Sequence, residues 1–347
     1  MAMDDSGTMR VLIGSAGRRV YLIRWFEDAF ARLGITGEVH VTDADPRAAA
    51  YSAADHAHVV PPYSSSKYRS AMVTLVERIR PSLFFSVNDY ELEILATSGL
   101  SEELESLGVP VLSLAGSLHS CVHDKLRMHD ALIEIGVSTP ATVLLSDRAG
   151  VAALADKHDE IVIKDRFGSG SSGLQRVDSS RWELAAAWLT SGSTPADHFV
   201  VQPTIKGTEF GIDIVAPIVS GAHDTAVLAR KKIRMRAGET DQAKSADAGP
   251  FNDIARRIAS WTQHRGSIDV DVLLDEDGVG HVIDINPRFG GGYPFSHLAG
   301  ADLPSLYVAQ LISAEFRPED FLTCSPGIVS SKYEAVLRVA PAELEEI

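Results

Sequence analysis

Residues 266–292 read GSIDVDVLLDEDGVGHVIDINPRFGGG, two runs of strand type flanking Asp277-Gly278. That dipeptide suits the left-handed backbone of a tight hairpin turn. On such a ribbon side chains alternate in facing, so Asp269 and Asp271 share a face of the first strand. Asp284 and Asn286 likewise share a face of the second. Counting back from the turn brings Asp271 opposite Asp284. Facing carboxylates repel unless a cation stands between them. Oxygen-only donors suit Mg²⁺, which keeps waters and takes phosphate oxygens as its remaining ligands. A solvated acidic hairpin is the alternative, and the apolar neighbours together with Arg288 weigh against it. The second strand then ends in Pro287, Arg288 and three glycines, which sets a fixed cation beside bare backbone.

The rest of the chain narrows what such a ribbon can serve. Its 347 residues exceed one small core and predict two or three domains. With 45% hydrophobic and 23% charged residues the composition is that of an ordinary globular protein. A net charge of −15 argues against nucleic acid or an anionic membrane as the main partner. There is no apolar run of transmembrane length, and MAMDDSGTMR lacks the apolar stretch of a secretory signal. Cys121 and Cys324 form no disulfide framework, so the expected compartment is the cytoplasm. The 12 histidines show no HExxH or paired His/Cys spacing, and no zinc site is read from them.

Outward from the ribbon, the first third alternates strands and helices. Residues 10–13, 38–42, 57–60 and 83–87 read as strands, with helices over 20–33 and 68–79. This alternation predicts a parallel, doubly wound, Rossmann-like sheet. After helices over 124–135 and 151–157, the middle and end cluster strands at 199–202, 209–215, 226–233, 267–274 and 280–285, with a helix near 252–263, as an α+β segment with an antiparallel sheet does. The expected domains are 1–118, 119–198 and 199–347.

Two loops could carry chemistry besides the ribbon. GSAGRR (14–19) follows the first strand, and Asp43 ends the second, as in a dinucleotide fingerprint. The spacing, however, is GxxG and not GxGxxG. A tight strand-to-helix turn explains it as well as an anion site on backbone N–H groups flanked by Arg18 and Arg19. IVIKDRFGSGSSG (161–173) places Lys164 at the end of a buried strand before a loop of glycines and serines. It reads either as a cover for a polyphosphate or as a flexible hairpin loop. The lysine precedes the glycines, which excludes the Walker pattern.

Taken in order, GSAGRR, Asp124-Lys125, VIKDRFGSGSSG, VVQPTIKGTEFGIDIV (200–215) and VIDINPRFGGGYP (282–294) resemble the ATP-grasp ligases. The similarity is greatest to the branch of the carbamoyl phosphate synthetase large subunit and biotin carboxylase, over roughly residues 10 to 300. The resemblance implies a mixed α/β and α+β chain: an N-terminal Rossmann-like (pre-ATP-grasp) domain and two α+β lobes sandwiching ATP. It also implies the site. Lys125 and Lys164 would hold phosphates under a lid formed by Gly168, Ser169, Gly170, Ser171 and Ser172. Gln202 would lie at the adenine hinge and Glu209 at the ribose. Asp271, Asp284 and Asn286 would bind Mg²⁺, with Mn²⁺ as a substitute. Arg288 would stabilise the transferred phosphoryl group, and Lys232, Arg234 or Arg236 would meet the γ-phosphate or acyl group. Arg18, Arg19, Asp89, Glu91, Gly291 and Tyr293 are the candidates for substrate contact, with Tyr293 equally open to a packing role.

The implied chemistry is ADP-forming ligation. A carboxylate becomes an acyl phosphate, and an amine displaces the phosphate. The substrates would be small molecules (an amino acid, a peptide or a biosynthetic intermediate), and a homodimer is the family expectation. Departures from the pattern are Asp165 in place of the frequent proline and Asp284 in place of the usual glutamate. Another nucleophile, or a small acid such as bicarbonate, is the alternative, and a dinucleotide oxidoreductase is the rival that leaves the acidic ribbon unexplained.

Overall fold

The computed structural model describes residues 7–168 and 173–339, together with the backbone of 345–346. Five strands, β1 (Met9–Gly14), β2 (Gly37–Asp43), β3 (His56–Val59), β4 (Leu83–Ser86) and β5 (Val111–Leu112), pair in parallel in the order β3-β2-β1-β4-β5. Strand order reverses between β1 and β4, so the carboxyl ends of these two strands open a crevice. Helix α1 (Val20–Leu33) buries Leu22, Ile23, Phe26, Ala29 and Phe30 against one face. It ends where Gly34 turns left-handed (φ 66°) and its N–H returns to Ala31 and Phe30. Helices α2 (Tyr68–Ile79), α3 (Asp89–Thr97) and α4 (Leu100–Ser106) cover the other face.

The chain then leaves the sheet through α5 (Gly116–His123) and α6 (Lys125–Glu134). Next come β6 (Val143–Leu144), α7 (Arg148–Ala155), β7 (Glu160–Asp165), β8 (Gln175–Asp178), α8 (Trp182–Leu189) and β9 (Phe199–Pro203). Their strands make a small antiparallel sheet ordered β6-β9-β7-β8. Because β9 hydrogen-bonds to β6 and β7, it belongs to this small sheet. The lobe change expected at 198/199 therefore falls one strand too early.

A six-stranded antiparallel sheet follows, from β10 (Gly207–Ala216), β11 (Ala226–Arg236), β12 (Glu239–Ala246), β13 (Gly266–Asp275), β14 (Gly280–Asn286) and β15 (Val329–Ser331). Its order is β14-β13-β10-β11-β12-β15. Helix α9 (Asn252–Thr262) packs on it with α6. Strand β12 lacks apolar alternation (ETDQAKSA), so sequence pattern gave no signal for it. Helices α10 (Tyr293–Leu298) and α11 (Leu303–Leu311) leave this sheet and return to the first, where Leu303, Leu306 and Tyr307 share one core with α1. A short strand β16 (Glu345–Glu346) pairs with the outer side of β3. Among the described residues no helix is long and apolar enough to cross a membrane.

Candidate active site

The two later sheets and the carboxyl ends of β1 and β4 enclose a cleft of about 400 Å³. The ribbon at its floor has the register expected of it: Asp269 pairs with Asn286 and Asp271 with Asp284. Gly278 supplies the positive φ (80°) of the turn, while Asp275 accepts from the N–H groups of Asp277 and Val279. Asp271, Asp284 and Asn286 all line the cleft, and Asn286 Nδ2 lies 3.5 Å from Asp284 Oδ2. Burial pushes the Asp271 carboxyl up to about 6, with Lys232 pulling against it and Asp269 and Asp284 adding repulsion. Lys232 stands between Glu209 (2.6 Å) and Asp271 (2.7 Å). Burial opposes its charge, yet these two carboxylates outweigh that and hold the ammonium above its ordinary value.

Two further lysines close the opposite wall. Asp124 caps α6 by accepting from Leu126 and Arg127 N–H groups, and Arg166 grips the same carboxylate at 2.8 and 2.6 Å. This cross-tie fixes Lys125, whose Nζ donates to the Gly168 carbonyl. Lys164 ends β7, with Nζ 3.3 Å from the Ile283 carbonyl. Burial lowers its ammonium to about 8, with Asp284 opposing and Lys125 adding to the shift. Ser169, Gly170, Ser171 and Ser172, the remainder of the expected lid, lie outside the described residues. Gln202 borders the cleft, but its side chain turns inward and donates to Thr142 Oγ1 at 2.7 Å.

The third wall comes from the first sheet. Asn88 caps α3 through Tyr90 and Glu91 N–H groups. Asp89, in the first turn of that helix, takes a bidentate grip from Arg288 at 2.6 and 2.7 Å. Arg288 also donates to Asn286 Oδ1 at 3.3 Å, so one guanidinium joins the ribbon to the first domain. Burial disfavours its charge, but Asp89 more than restores it. Arg19 and Gly291 line the same wall.

Four expected contacts stand elsewhere. Arg236 is exposed at the end of β11 and pairs with Glu334 at 3.0 Å, because after the register shifts around Arg234 it is Met235, and not Arg236, that faces the cleft. Arg18 projects into solvent, with Glu239 3.6 Å away. Glu91 is buried beneath the glycine loop, where it accepts from Tyr68 and Ser86. A Cβ at Gly14 would come within 2.6 Å of its carboxylate, so the glycine is there for Glu91. Tyr293 is wholly buried; its hydroxyl accepts from Leu303 N–H (2.9 Å) and donates to the Ala301 carbonyl (3.1 Å). The GSAGRR loop is also partly self-satisfied, since Gly17 N–H donates to Asp43 at 3.0 Å.

Sequence reasoning missed Arg230. Fully buried, it bridges Asp213 (2.6 Å) and Asp269 beneath the cleft. Burial raises Asp213 to about 6 despite that partner. Side chains at Gly290 and Gly292 would meet Asp269 and Arg230 respectively, which explains two of the three glycines. The sequence shows 226–233 as a strand and singles out Lys232, and nothing in the Arg230-Lys231-Lys232 run marks Arg230 as the buried one; the bare glycines 290 and 292 that it packs against lie far along the chain.

Residues 11–112 match the family described as PylC-like, N-terminal domain. Residues 196–333 match the one described as ATP-grasp in the biosynthetic pathway with Ter operon. The D-alanine–D-alanine ligase of Pseudomonas entomophila is 27% identical over 200 residues, which cover 54% of this chain and 61% of that ligase. The chain thus spans about three-fifths of the length of that relative. The biotin carboxylase domain of Hydrogenobacter thermophilus 2-oxoglutarate carboxylase, solved with MgADP and bicarbonate, superposes with a TM-score of 0.67 at 16% identity. That alignment covers 90% of this chain and 72% of that domain. The L-amino acid ligase of Bacillus licheniformis gives 0.65 at 16% identity, covering 91% and 77%. The chain thus has the ATP-grasp fold, with its N-terminal segment similar to the PylC-like family and residues 196–333 similar to an ATP-grasp family.

Proposed function

We propose that the chain is an ADP-forming carboxylate–amine ligase. The observation that carries this reading is the meeting of Lys125 and Lys164 with Asp271, Asp284, Asn286 and Arg288 across one cleft. Cations on one wall and oxygen donors on the other are what a nucleoside triphosphate and a hard divalent ion require. The donor set fits Mg²⁺. Asp284 and Asn286 would hold it, with Asp271, paired to Lys232 at 2.7 Å, as the third oxygen donor beside them. Bound there, Mg²⁺ supplies charge neutralisation to the phosphates.

The side chains then divide the remaining tasks. Lys125 and Lys164 orient the phosphates, and Arg288, held by Asp89, faces the moving phosphoryl group. A substrate carboxylate oxygen attacks the γ-phosphorus, the bond to the bridging oxygen breaks, and ADP departs. An amine nitrogen then attacks the acyl carbon, the carbon–oxygen bond to phosphate breaks, and the amine proton passes to solvent. No side-chain nucleophile is needed. Arg19, on the wall built by the first domain, is the cation placed to hold a substrate carboxylate; the substrates are an amino acid, a peptide or a biosynthetic intermediate.

The test is Mg²⁺-dependent ADP release, measured against a panel of carboxylates and amines that includes bicarbonate. Release should require one acid and rise with one amine, and Asp284→Ala should abolish it. Undiminished release by Asp284→Ala would sink the metal assignment.

A further inference from the structure

On the far side of the first domain, β2 and β3 place four polar side chains on one face of the parallel sheet. Glu38 and His40 alternate along β2, and His56 and His58 along β3, with His40 in register with His56. The ligand atoms of Glu38, His40 and His56 lie within 4.8 Å of one another. The geometry points to a transition-metal site, of the Zn²⁺ class, formed by His40 Nε2, His56 Nε2 and one Glu38 carboxylate oxygen, with water at the fourth position.

Three observations support it. The donors already lie together: Glu38 Oε2 is 3.5 Å from His40 Nε2, and Glu38 Oε1 is 3.8 Å from His56 Nε2. Ligands about 2.0–2.1 Å from a tetrahedral zinc stand roughly 3.3–3.4 Å apart; the His40 and His56 rings are stacked with centroids 4.5 Å apart, so the half-exposed His56 ring would swing to converge with His40 on an ion. The second ring nitrogen of His40 is already engaged, with Nδ1 3.0 Å from His58 Nε2. Such an outer partner fixes the tautomer of a metal-binding histidine and aims its other nitrogen at the ion. Access is the third point: His40 and His58 are buried, but the His56 and Glu38 side chains are 49% and 33% exposed.

Arg10 also faces the group, its Nε 2.9 Å from Glu38 Oε2. It takes the oxygen on the His40 side and leaves Oε1 on the His56 side to turn toward an ion. An ion here would pin β2 to β3 well away from the ribbon.

The test uses the full chain stripped with chelator and titrated with Co²⁺ and Zn²⁺. To silence the cleft, the titration is run in the Asp284→Ala background as well as in wild type. One Co²⁺ per chain with the visible bands of a four-coordinate ion is expected in both, displaced by Zn²⁺. His56→Ala, at an exposed position, should abolish the bands while leaving the melting temperature without metal unchanged. His58→Phe should weaken binding by about 10–100-fold. The inference is overturned if Co²⁺ binds His56→Ala as tightly as wild type, if the bands vanish with Asp284→Ala alone, or if no stoichiometric ion is held.

Discussion

Lys164 is an ammonium kept in a place that disfavours its charge, and its lowered value of about 8 has two consequences. As pH rises through that value the free enzyme loses a cation from its phosphate wall. kcat/KM for ATP should therefore fall with an apparent pKa near 8, and Lys164→Arg should remove that limb. Between about 8 and the ordinary lysine value of 10.5, the unfolded chain holds a proton the folded chain has given up. The stability cost of burying this lysine is thus fully present below pH 8 and relieved as pH climbs through the window. Arg288 makes a second case. Removing one preorganised donor costs about 10²–10³ in kcat, so Arg288→Met should lose that much turnover with KM for ATP little changed, as steady-state kinetics would show. Asp271, Asp284 and Asn286 were legible because strand alternation and one turn fix their facing locally. Glu91, Tyr293 and Arg236 were not. The first two turn into cores assembled from distant segments, and a register shift on β11 redirects the third.

At the scale of the element, the ribbon and its glycine end form one unit with β11. Arg230 rises from β11 between Asp213 of β10 and Asp269 of β13, and the bare backbone of residues 290–292 closes over it. Gly290→Ala or Gly292→Ala drives a methyl into Asp269 or Arg230 and should cost about 1–3 kcal/mol. Gly291 meets nothing closer than Arg19 at 3.7 Å, so Gly291→Ala should stay within about 0.5 kcal/mol of wild type. Urea unfolding of the three variants separates them. The hairpin itself was readable from Asp277-Gly278. Strand β12 and the α11 return were not, because a polar strand between β11 and β15 and a helix that packs on a remote sheet leave no local period.

At the scale of the whole molecule, the first and last thirds share a core. Leu303, Leu306 and Tyr307 of α11 pack with Leu22, Phe26 and Phe30 of α1, and Phe289 and Tyr293 join them from the end of the ribbon. A chain stitched in this way should unfold as one body. Leu306→Ala should remove about 2–5 kcal/mol and shift a single calorimetric transition, not split it. The parallel sheet at the start and the antiparallel sheets after it were both expected from the sequence. Their fusion was not, since nothing in α11 announces which sheet it will cover.

That shared core sets a clock on synthesis. Domains usually fold as they leave the ribosome, yet α1 waits for a partner that is made only after every strand of the two later sheets except β15. At about 5–20 residues per second, the interval from Leu112 to Leu303 is on the order of ten to forty seconds. Through that interval the apolar flank of α1 stands uncovered on the nascent chain, a binding surface for chaperones during translation that the finished protein no longer shows.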